Sequence, residues 1–363
     1  MIYVVFLLGI LLAYVADKRK SEFFVFCLVV LLSLFVGTRT KTVGIDTEVY
    51  YEVMNNLRQG IFSPNIEKGF LLLCWLLLKV FNIEQVVLLI AFVSVALIIK
   101  RLWTMRRQHS FPLMVALFLV SYYSEMANIM RQYLAIALVF YGTYYLDRKK
   151  YFSFLLFLAV ATAMHSSAIL AALYVPIYAL ISDTEKVKKN KSALFYLVLL
   201  PIVVGVGGSI VIKKYGYYIA DSNNTFGLLH PMKLVLAIAF CMINAGVFQW
   251  YRNKKGYLSV NHGQYYLTIS REPNIRNFGV VALSYMLGIA LTTLGYINTS
   301  LYRVGLIFQP FEYPFVASVF RYKPNGVFFK TIYILLFLFI IYSNLSSSWS
   351  GLADYSSWLF SFI

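Results

Sequence analysis

Charged side chains are scarce in this chain of 363 residues, and their scarcity excludes an ordinary soluble protein. They make up 13% of the residues, whereas apolar residues make up 60% and the mean hydropathy is +0.72. Soluble domains are nearer a quarter charged and half apolar. Several apolar runs are long enough to cross a bilayer. The sequence therefore predicts an all-α polytopic membrane protein, because a spanning barrel would show short alternating segments instead.

Motifs for cofactors and nucleotides are also missing from the sequence. It has no Walker A loop, no Gly-rich dinucleotide loop, no zinc spacing, no Ser-His-Asp pattern and no aspartate-rich nucleotide-sugar motif. The three cysteines, Cys27, Cys74 and Cys241, all lie inside apolar runs. This placement indicates that the cysteine side chains pack among apolar residues and neither form disulfides nor bind a metal. We therefore predict a protein without a cofactor or a bound metal.

The basic residues determine the predicted topology. The formal net charge is +17, but Lys and Arg lie mostly in short clusters at the ends of apolar runs. Cytoplasmic membrane anchors have this distribution, so nucleic acid is not expected as a partner. If all the clusters are cytoplasmic, an even number of crossings separates each neighbouring pair. The clusters are 18–20, 100–107, 148–150, 186–191, 252–255, and Arg321 with Lys323.

This parity rule predicts about twelve transmembrane helices in a single domain, 1–363, with both ends outside. Residues 37–68 become an external loop that lines the site, and residues 252–277 become the longest cytoplasmic loop. Residues 69–81 are too short to span comfortably, so we predict a short re-entrant or interfacial helix there. The first apolar run lacks a small-residue cleavage site and is expected to remain as the first span.

Residues 151–182 must cross out and back without a loop, because only Met164-His-Ser-Ser167 interrupts them. Each arm is about 15 residues, or about 22 Å long, which is less than the roughly 30 Å hydrocarbon core. His165 is therefore expected at a tip below the outer surface, beside protein or a water-filled cavity. It could accept a proton as a general base. The alternative is a packed histidine that is bonded to a backbone carbonyl.

Polar residues that are not anchors gather on the predicted external face. Arg131 and Arg303 are candidates for binding a diphosphate, since guanidinium groups suit phosphate oxygens and stay charged when buried. They could instead extend to the surface or pair with Glu125 or Glu312. Arg39, in the polar stretch 37–51, is a third candidate.

The remaining candidates are carboxylates and glycan-binding side chains. Asp46 either caps a helix that begins near Glu48 or acts as a base or a sugar ligand. Glu67 either caps the 69–81 helix or contacts sugar. The other candidates for glycan binding are Tyr50, which could stack on a sugar ring, and Asn128 and Gln132, which flank Arg131.

Several short motifs lie between about residues 30 and 310. They are Gly37-Thr-Arg39, Val43-Gly-Ile-Asp-Thr-Glu-Val-Tyr50, Glu67-Lys-Gly-Phe70, Met130-Arg-Gln-Tyr-Leu-Ala-Ile-Ala137, Ala163-Met-His-Ser-Ser-Ala168 and Tyr302-Arg-Val-Gly305. Together these motifs resemble the EpsG family. Departures at Ile45 and Tyr133, where the family commonly has smaller residues, bear on specificity and remove no charged group.

The family includes Wzy-type polymerases of O-antigen, capsule and exopolysaccharide in bacteria. The resemblance implies a GT-C-like glycosyltransferase of the inner membrane that needs neither a nucleotide sugar nor a metal. Its substrates would be undecaprenyl-diphosphate-linked oligosaccharides, with glycan moving from one lipid carrier to a repeat unit on another. Membrane lipid is an implied partner, and a chain-length regulator protein is a further candidate.

Two other functions would use similar residues. A flippase or transporter of lipid-linked oligosaccharides would share the cationic site, but transporters commonly show paired inverted halves, which this sequence does not display. The second alternative is an O-antigen ligase, which would transfer glycan to a lipid A core, or a membrane acyltransferase, because both kinds of enzyme have an intramembrane histidine. The residues alone leave the ligase alternative open.

Overall fold

The chain is all-helical in the part that the computed structural model describes. That part comprises residues 2–44, 46–123, 125–182, 273–293, 299–321 and 330–336, with single positions at 235, 327, 338 and 357. Every regular element within it is a helix, and one isolated β-bridge joins Arg39 to Ser357. The all-α prediction is therefore confirmed for these residues.

The helices separate into two compact units, Met1–Ala172 with Ile332–Ile363, and Leu173–Thr331. A single transmembrane domain over 1–363 stays a prediction. The first unit contains α1 Ile2–Arg19, α2 Glu22–Gly37, α3 Thr47–Arg58, α4 Lys68–Leu78, α5 Ile83–Met105, α6 Phe111–Ser121, α7 Glu125–Asn128, α8 Met130–Leu146 and α9 Tyr151–Met164. A 3₁₀ segment, Ser166–Leu173, follows α9. The second unit contains α10 Tyr174–Ser182, α11 Pro273–Thr293, α12 Thr299–Gly305, a 3₁₀ turn Gln309–Phe311 and α13 Glu312–Arg321.

The helix breaks fall where the sequence predicts them. The short apolar piece forms α4, whose 11 residues measure about 16 Å at 1.5 Å per residue. Asn82 then caps α5: its side chain accepts from the Gln85 N–H at 2.8 Å, and the Gln85 side chain accepts from the Asn82 N–H at 3.0 Å. The predicted interruption at Met164-His-Ser-Ser167 separates α9 from the 3₁₀ segment.

In the described residues, one helix is long and apolar enough to cross a membrane by itself, the 23-residue α5. Shorter apolar helices include α2, α4, α6 and α9. The total of about twelve spans thus stays a prediction. The predicted span 193–212 and, apart from residue 235, the predicted span 232–250 lie outside the described residues. Of the predicted loop 252–277, residues 252–272 also lie outside them, and residues 273–277 are helical because α11 begins at Pro273.

The core of the first unit runs through α2, α5 and α8, which pack side by side, with α1 against α2 and α9 against α8. Leu32, Val95 and Ala137 are fully buried along this row. Gly37 permits a close approach of α2 to α5, because a Cβ there would lie 2.9 Å from the Cα of Leu88. The end of α2 is therefore fixed beside the start of α5.

Large apolar side chains cover the outer faces of these helices. Val4 and Leu7 on α1 are each 60% exposed, Phe23 on α2 is 67% exposed, and Phe152 on α9 is 74% exposed. Soluble monomers rarely expose contiguous apolar surface of this kind. These faces fit contact with lipid, as the composition predicts.

Ion pairs gather the basic clusters at one end of the first unit. Lys100 Nζ lies 3.3 Å from Glu22 Oε1, which places the end of α5 beside the start of α2. Arg101, only 2% exposed, lies 2.7 Å from Asp147 Oδ2 and donates to Thr143 Oγ1 at 3.0 Å. Glu22 follows cluster 18–20 and Asp147 precedes cluster 148–150. Three of the six clusters therefore share one end, as the parity rule requires.

The two candidate arginines of this unit, Arg39 and Arg131, lie at the opposite end. Arg131 and Asp147 bracket α8, so they are about 24 Å apart along its axis. Arg39 follows α2 directly, and the end of α2 packs beside the start of α5. The basic clusters 186–191 and 252–255 lie outside the described residues.

Single cysteines can test this topology in a chain whose native cysteines are replaced by alanine. We expect a membrane-impermeant maleimide to label Lys41→Cys in intact cells and Lys150→Cys only after permeabilisation. Both positions are exposed, so accessibility alone does not separate them. Equal labelling of both variants in intact cells would contradict the arrangement.

Candidate functional site

The carboxylate of Glu67 joins three separate elements of the first unit. Glu67 is the N-cap residue of α4, and its side chain is 8% exposed. Its Oε2 accepts a hydrogen bond from Arg131 Nη1 at the start of α8. Its Oε1 lies 3.3 Å from His165 Nδ1 and accepts from both the backbone N–H and the hydroxyl of Ser166, each at 3.1 Å. We refer to Glu67, Arg131, His165 and Ser166 as the Glu67 cluster.

Close backbone packing brings α4 and α9 together at this cluster. A Cβ on Gly69 would lie 2.6 Å from the carbonyl oxygen of Ala163, so a larger residue would force the helices apart. His165 ends α9 by adopting an extended backbone, φ −153° and ψ 122°, while its N–H still bonds Ala161 O at 2.9 Å. The chain therefore turns at His165, and the next residue, Ser166, donates to Glu67.

Tyr50 extends the cluster to α3. The guanidinium carbon of Arg131 lies 5.9 Å from the centre of the Tyr50 ring, and that ring packs edge-on against Phe70 with centroids 6.2 Å apart. Burial raises the pKa of Tyr50, although the charge of Arg131 and a hydrogen bond with it act in the opposite direction. Tyr50 is therefore a neutral phenol that supports Arg131 from the α3 side.

Opposing effects set the charge of Glu67. Burial raises its pKa, but the hydrogen bond and charge of His165, the charge of Arg131 and the N–H of Ser166 lower it by more. The pKa of Glu67 consequently lies well below the usual range for a carboxyl. Glu67 is a fixed negative charge at neutral pH.

Arg39 makes a separate set of contacts. It is 1% exposed and donates to Val36 O at 2.6 Å, Thr47 Oγ1 at 3.1 Å and Ala127 O at 3.2 Å. Thr47 Oγ1 also donates to Ala127 O at 3.0 Å. These bonds tie the 37–47 stretch and the start of α3 to α7. Binding of a diphosphate by Arg39 stays a prediction.

Gly44 lets the 37–47 stretch pack closely on α7. Its φ is +90°, a value that favours glycine, and a Cβ there would lie 3.0 Å from Asn128 Oδ1. Asn128 is itself buried. Asp46 takes the N-cap position of α3, so a helix begins where the sequence predicts one, but its side chain makes no capping hydrogen bond. Its role as a base or a sugar ligand stays a prediction.

The other candidates are placed as follows. Gln132 is 3% exposed on α8, next to Arg131. Arg303 lies on α12 in the second unit, and a shared site with Arg131 stays a prediction. Contacts of Gln132, Asn128 and Tyr50 with glycan also stay predictions. Among the described residues, no group of three or more His, Cys, Asp or Glu side chains is arranged to hold a metal ion.

Sequence reasoning missed the bonds within the Glu67 cluster and did not single out Ser166. A usable signal is present in the sequence. Glu67 is the only acidic residue between Glu52 and Glu84, and His165 is the only charged or imidazole side chain between Lys150 and Asp183. Ionisable groups in apolar surroundings need partners, so isolated ones of complementary chemistry are expected to meet.

Comparison with known proteins gives one match that covers most of the chain. The family model described as "EpsG family" matches residues 22–357. This range includes every candidate residue discussed above. No curated protein and no solved structure matches the chain.

Glu67→Gln tests the electrostatic part of the cluster, because the amide keeps the shape but loses the charge. A lowered carboxyl pKa contributes stability that is present above the unfolded value of about 4.3 and is lost as pH falls below it. We expect Glu67→Gln to be less stable than wild type by about 2 kcal/mol at neutral pH. The difference should shrink as the pH falls below about 4. The measurement is the midpoint of thermal unfolding of the purified chain against pH.

The control is Glu52→Gln, which removes an exposed carboxylate of α3 and should follow the wild-type curve. If the difference in unfolding midpoint between wild type and Glu67→Gln does not change with pH, a role for the Glu67 charge is contradicted.

Proposed function

Because the chain belongs to the EpsG family, which is associated with polysaccharide polymerases, we propose that it is a multi-pass glycosyltransferase of the bacterial inner membrane. It transfers a glycan from undecaprenyl diphosphate to a lipid-linked repeat unit on the outer face of that membrane. The observation that carries the proposal is the shared carboxylate of Glu67. It places a histidine suited to proton transfer beside an arginine suited to phosphate binding.

In this reaction His165 is the general base. A carboxylate at Nδ1 favours the tautomer that carries its proton there, which makes Nε2 the atom that accepts a proton. The acceptor hydroxyl gives its proton to Nε2 while its oxygen bonds to the anomeric carbon of the donor. The bond between that carbon and the phosphate oxygen breaks, and its electron pair leaves with the diphosphate. Asp46 is the second candidate for the base.

Cationic groups stabilise the leaving diphosphate. Arg131 is the first candidate, since it lies in the Glu67 cluster and its side chain is 20% exposed. Arg303 and Arg39 are the further candidates. Guanidinium groups supply charge and paired N–H donors where charge develops, so this chemistry needs no nucleotide sugar and no metal. Tyr50, Gln132 and Asn128 are proposed to contact the glycan. Glu67, the fourth candidate for this role, has both oxygens occupied by Arg131, His165 and Ser166.

Membrane lipid and the two lipid-linked oligosaccharides are the proposed partners, with a chain-length regulator protein as a further candidate. The exposed apolar faces of the first unit support contact with lipid. An oriented base next to a cation supports group transfer over transport, because a flippase breaks no bond. An O-antigen ligase would need the same groups. A ligase and a polymerase therefore differ only in their product, which is glycan on a lipid A core for the ligase and a longer lipid-linked glycan for the polymerase.

Glycan length in a strain that lacks this protein separates the polymerase from the other two functions. Loss of a polymerase should leave a single repeat unit on the final lipid, whereas loss of a flippase or a ligase should leave none. We expect single units in the deletion strain, and elongation of a purified lipid-linked repeat unit by the purified chain. Absence of all repeat units on the final lipid would exclude the polymerase.

Substitutions of His165 test the proposed base. We expect His165→Ala and His165→Gln both to abolish elongation while the donor lipid still binds, because glutamine keeps hydrogen bonding but takes no proton at working pH. A histidine base predicts that wild-type activity falls as pH decreases through the imidazole range, which is roughly 6 to 7 for an unperturbed group and higher where a carboxylate stabilises the protonated ring. The control is Gln108→Ala, a substitution at the basic end of the first unit, and this variant should elongate glycan like wild type.

Near-normal elongation by His165→Gln would move the base to Asp46 or Glu67. In that case the loss of activity should occur at a lower pH, in the range of a carboxyl.

A further inference from the structure

The two oxygens of Glu67 serve two groups with different tasks in the proposed reaction. Oε2 accepts from Arg131, the diphosphate-binding candidate, and Oε1 faces Nδ1 of His165, the base. Ser166 holds Oε1 in place with its N–H and its hydroxyl, both at 3.1 Å. The carboxylate therefore links the leaving-group site to the base through a single side chain.

A carboxylate that is shared between two partners stabilises each of them less than it would stabilise either one alone. A neighbouring negative charge favours the protonated imidazole, and a nearby cation that pairs with the same carboxylate weakens this effect. The Glu67 and His165 side chains are 8% and 6% exposed, so solvent screens these interactions little. Movement of Arg131 away from Glu67 should consequently strengthen the stabilisation of the protonated His165 ring by Glu67.

A diphosphate competes directly with Glu67 for Arg131. It carries more negative charge than one carboxylate and offers several oxygens to the guanidinium fork. Arg131 is 20% exposed and lies at the first turn of α8, so its side chain can turn toward a ligand without moving the helix.

We propose that Glu67 is a positioning residue that exchanges partners when the donor binds: the diphosphate takes Arg131, and the carboxylate then serves His165 alone and makes it a stronger base. This exchange rests on the proposed function. It makes the base active only when the leaving group is in place. The acceptor proton then moves to His165 Nε2, Glu67 stabilises the imidazolium, and the diphosphate leaves with its electron pair beside Arg131. Glu67 itself forms no covalent bond and takes up no proton.

The titratable and charged groups around His165 come from several elements. Glu67 belongs to α4 and Arg131 to α8, while Tyr50 of α3 contacts Arg131 and Asp46 lies at the start of α3. Cys74 of α4 is buried and lies within electrostatic range of Arg131. Arg131 is the cation of this set that pairs with Glu67, so it is the group to remove in a test.

The test measures the titration of His165 by NMR on the full chain in lipid nanodiscs with labelled histidine. The chain has four histidines, and His165→Gln identifies the relevant signal. Geranyl diphosphate is the probe, because it has the diphosphate and a prenyl chain but no sugar. In wild type we expect it to raise the His165 titration midpoint by about one unit or more.

Glu67→Gln separates the exchange from the direct effect of the added negative charge. In this variant the probe still brings its own charge, but no carboxylate is released to His165. We expect the shift that the probe causes to fall to less than half of the wild-type shift. Glu52→Gln is the matched control, and its shift should equal that of wild type.

Arg131→Met provides a second, independent measurement, which also covers the case that Glu67→Gln does not fold. Here Glu67 is intact but its cationic partner is absent. We expect the His165 midpoint to be raised by about one unit relative to wild type before any probe is added.

Each outcome decides between the proposals. Equal probe-induced shifts in wild type and Glu67→Gln, or an unchanged midpoint in Arg131→Met, would overturn the exchange and leave the polymerase proposal standing. No binding of geranyl diphosphate to wild type, judged by the histidine signals and by a direct binding isotherm, would overturn both.

Discussion

A buried carboxylate cannot stay charged in apolar surroundings without partners, and the end of the first unit that holds the Glu67 cluster depends on this constraint. Removing a charge from water carries a penalty of several kcal/mol that only close pairing and hydrogen bonds offset. Glu67 meets this requirement with Arg131, His165 and Ser166. Because its partners are on different elements, the starts of α4 and α8 and the end of α9 must lie at one place.

The same constraint fixes where α4 begins and where α9 ends. Each ends or begins at the residue that enters the cluster: α4 begins at Lys68, directly after Glu67, and α9 ends at Met164, directly before His165. At the other end of the unit, the Arg101–Asp147 ion pair fixes the last turn of α8 against α5. Because α8 is held at both ends, Arg131 rests on a rigid element, as precise positioning of a ligand requires.

Much of this arrangement can be predicted from hydrophobic runs and from the charges that interrupt them. The short α4, the capped start of α5 at Asn82 and the break at His165 all follow from where apolar stretches stop. The pairing of Glu67 with His165 does not, because the two residues are far apart in sequence and no local period connects them. The division of the chain into two units is also absent from the composition, since both units are built from similar apolar helices.

Arg39 and Arg131 show why residue type alone does not assign a role. Both are arginines at the same end of the unit, and the sequence makes both of them candidates for a diphosphate. Arg39 is 1% exposed and donates to two backbone carbonyls and a threonine hydroxyl, which belong to the fold and stay in place when a ligand binds. Arg131 is 20% exposed and pairs with a carboxylate, a partner that a phosphate can replace.

The two arginines are nevertheless connected through α3. Arg39 fixes Thr47 at the first turn of that helix, and Tyr50 lies one turn further on, with its ring beside the Arg131 guanidinium. A change at Arg39 should therefore reach Arg131 by displacing Tyr50, without any contact between Arg39 and substrate. The polar stretch 37–51 therefore contributes to the position of Arg131, in addition to the roles proposed for Arg39, Asp46 and Tyr50.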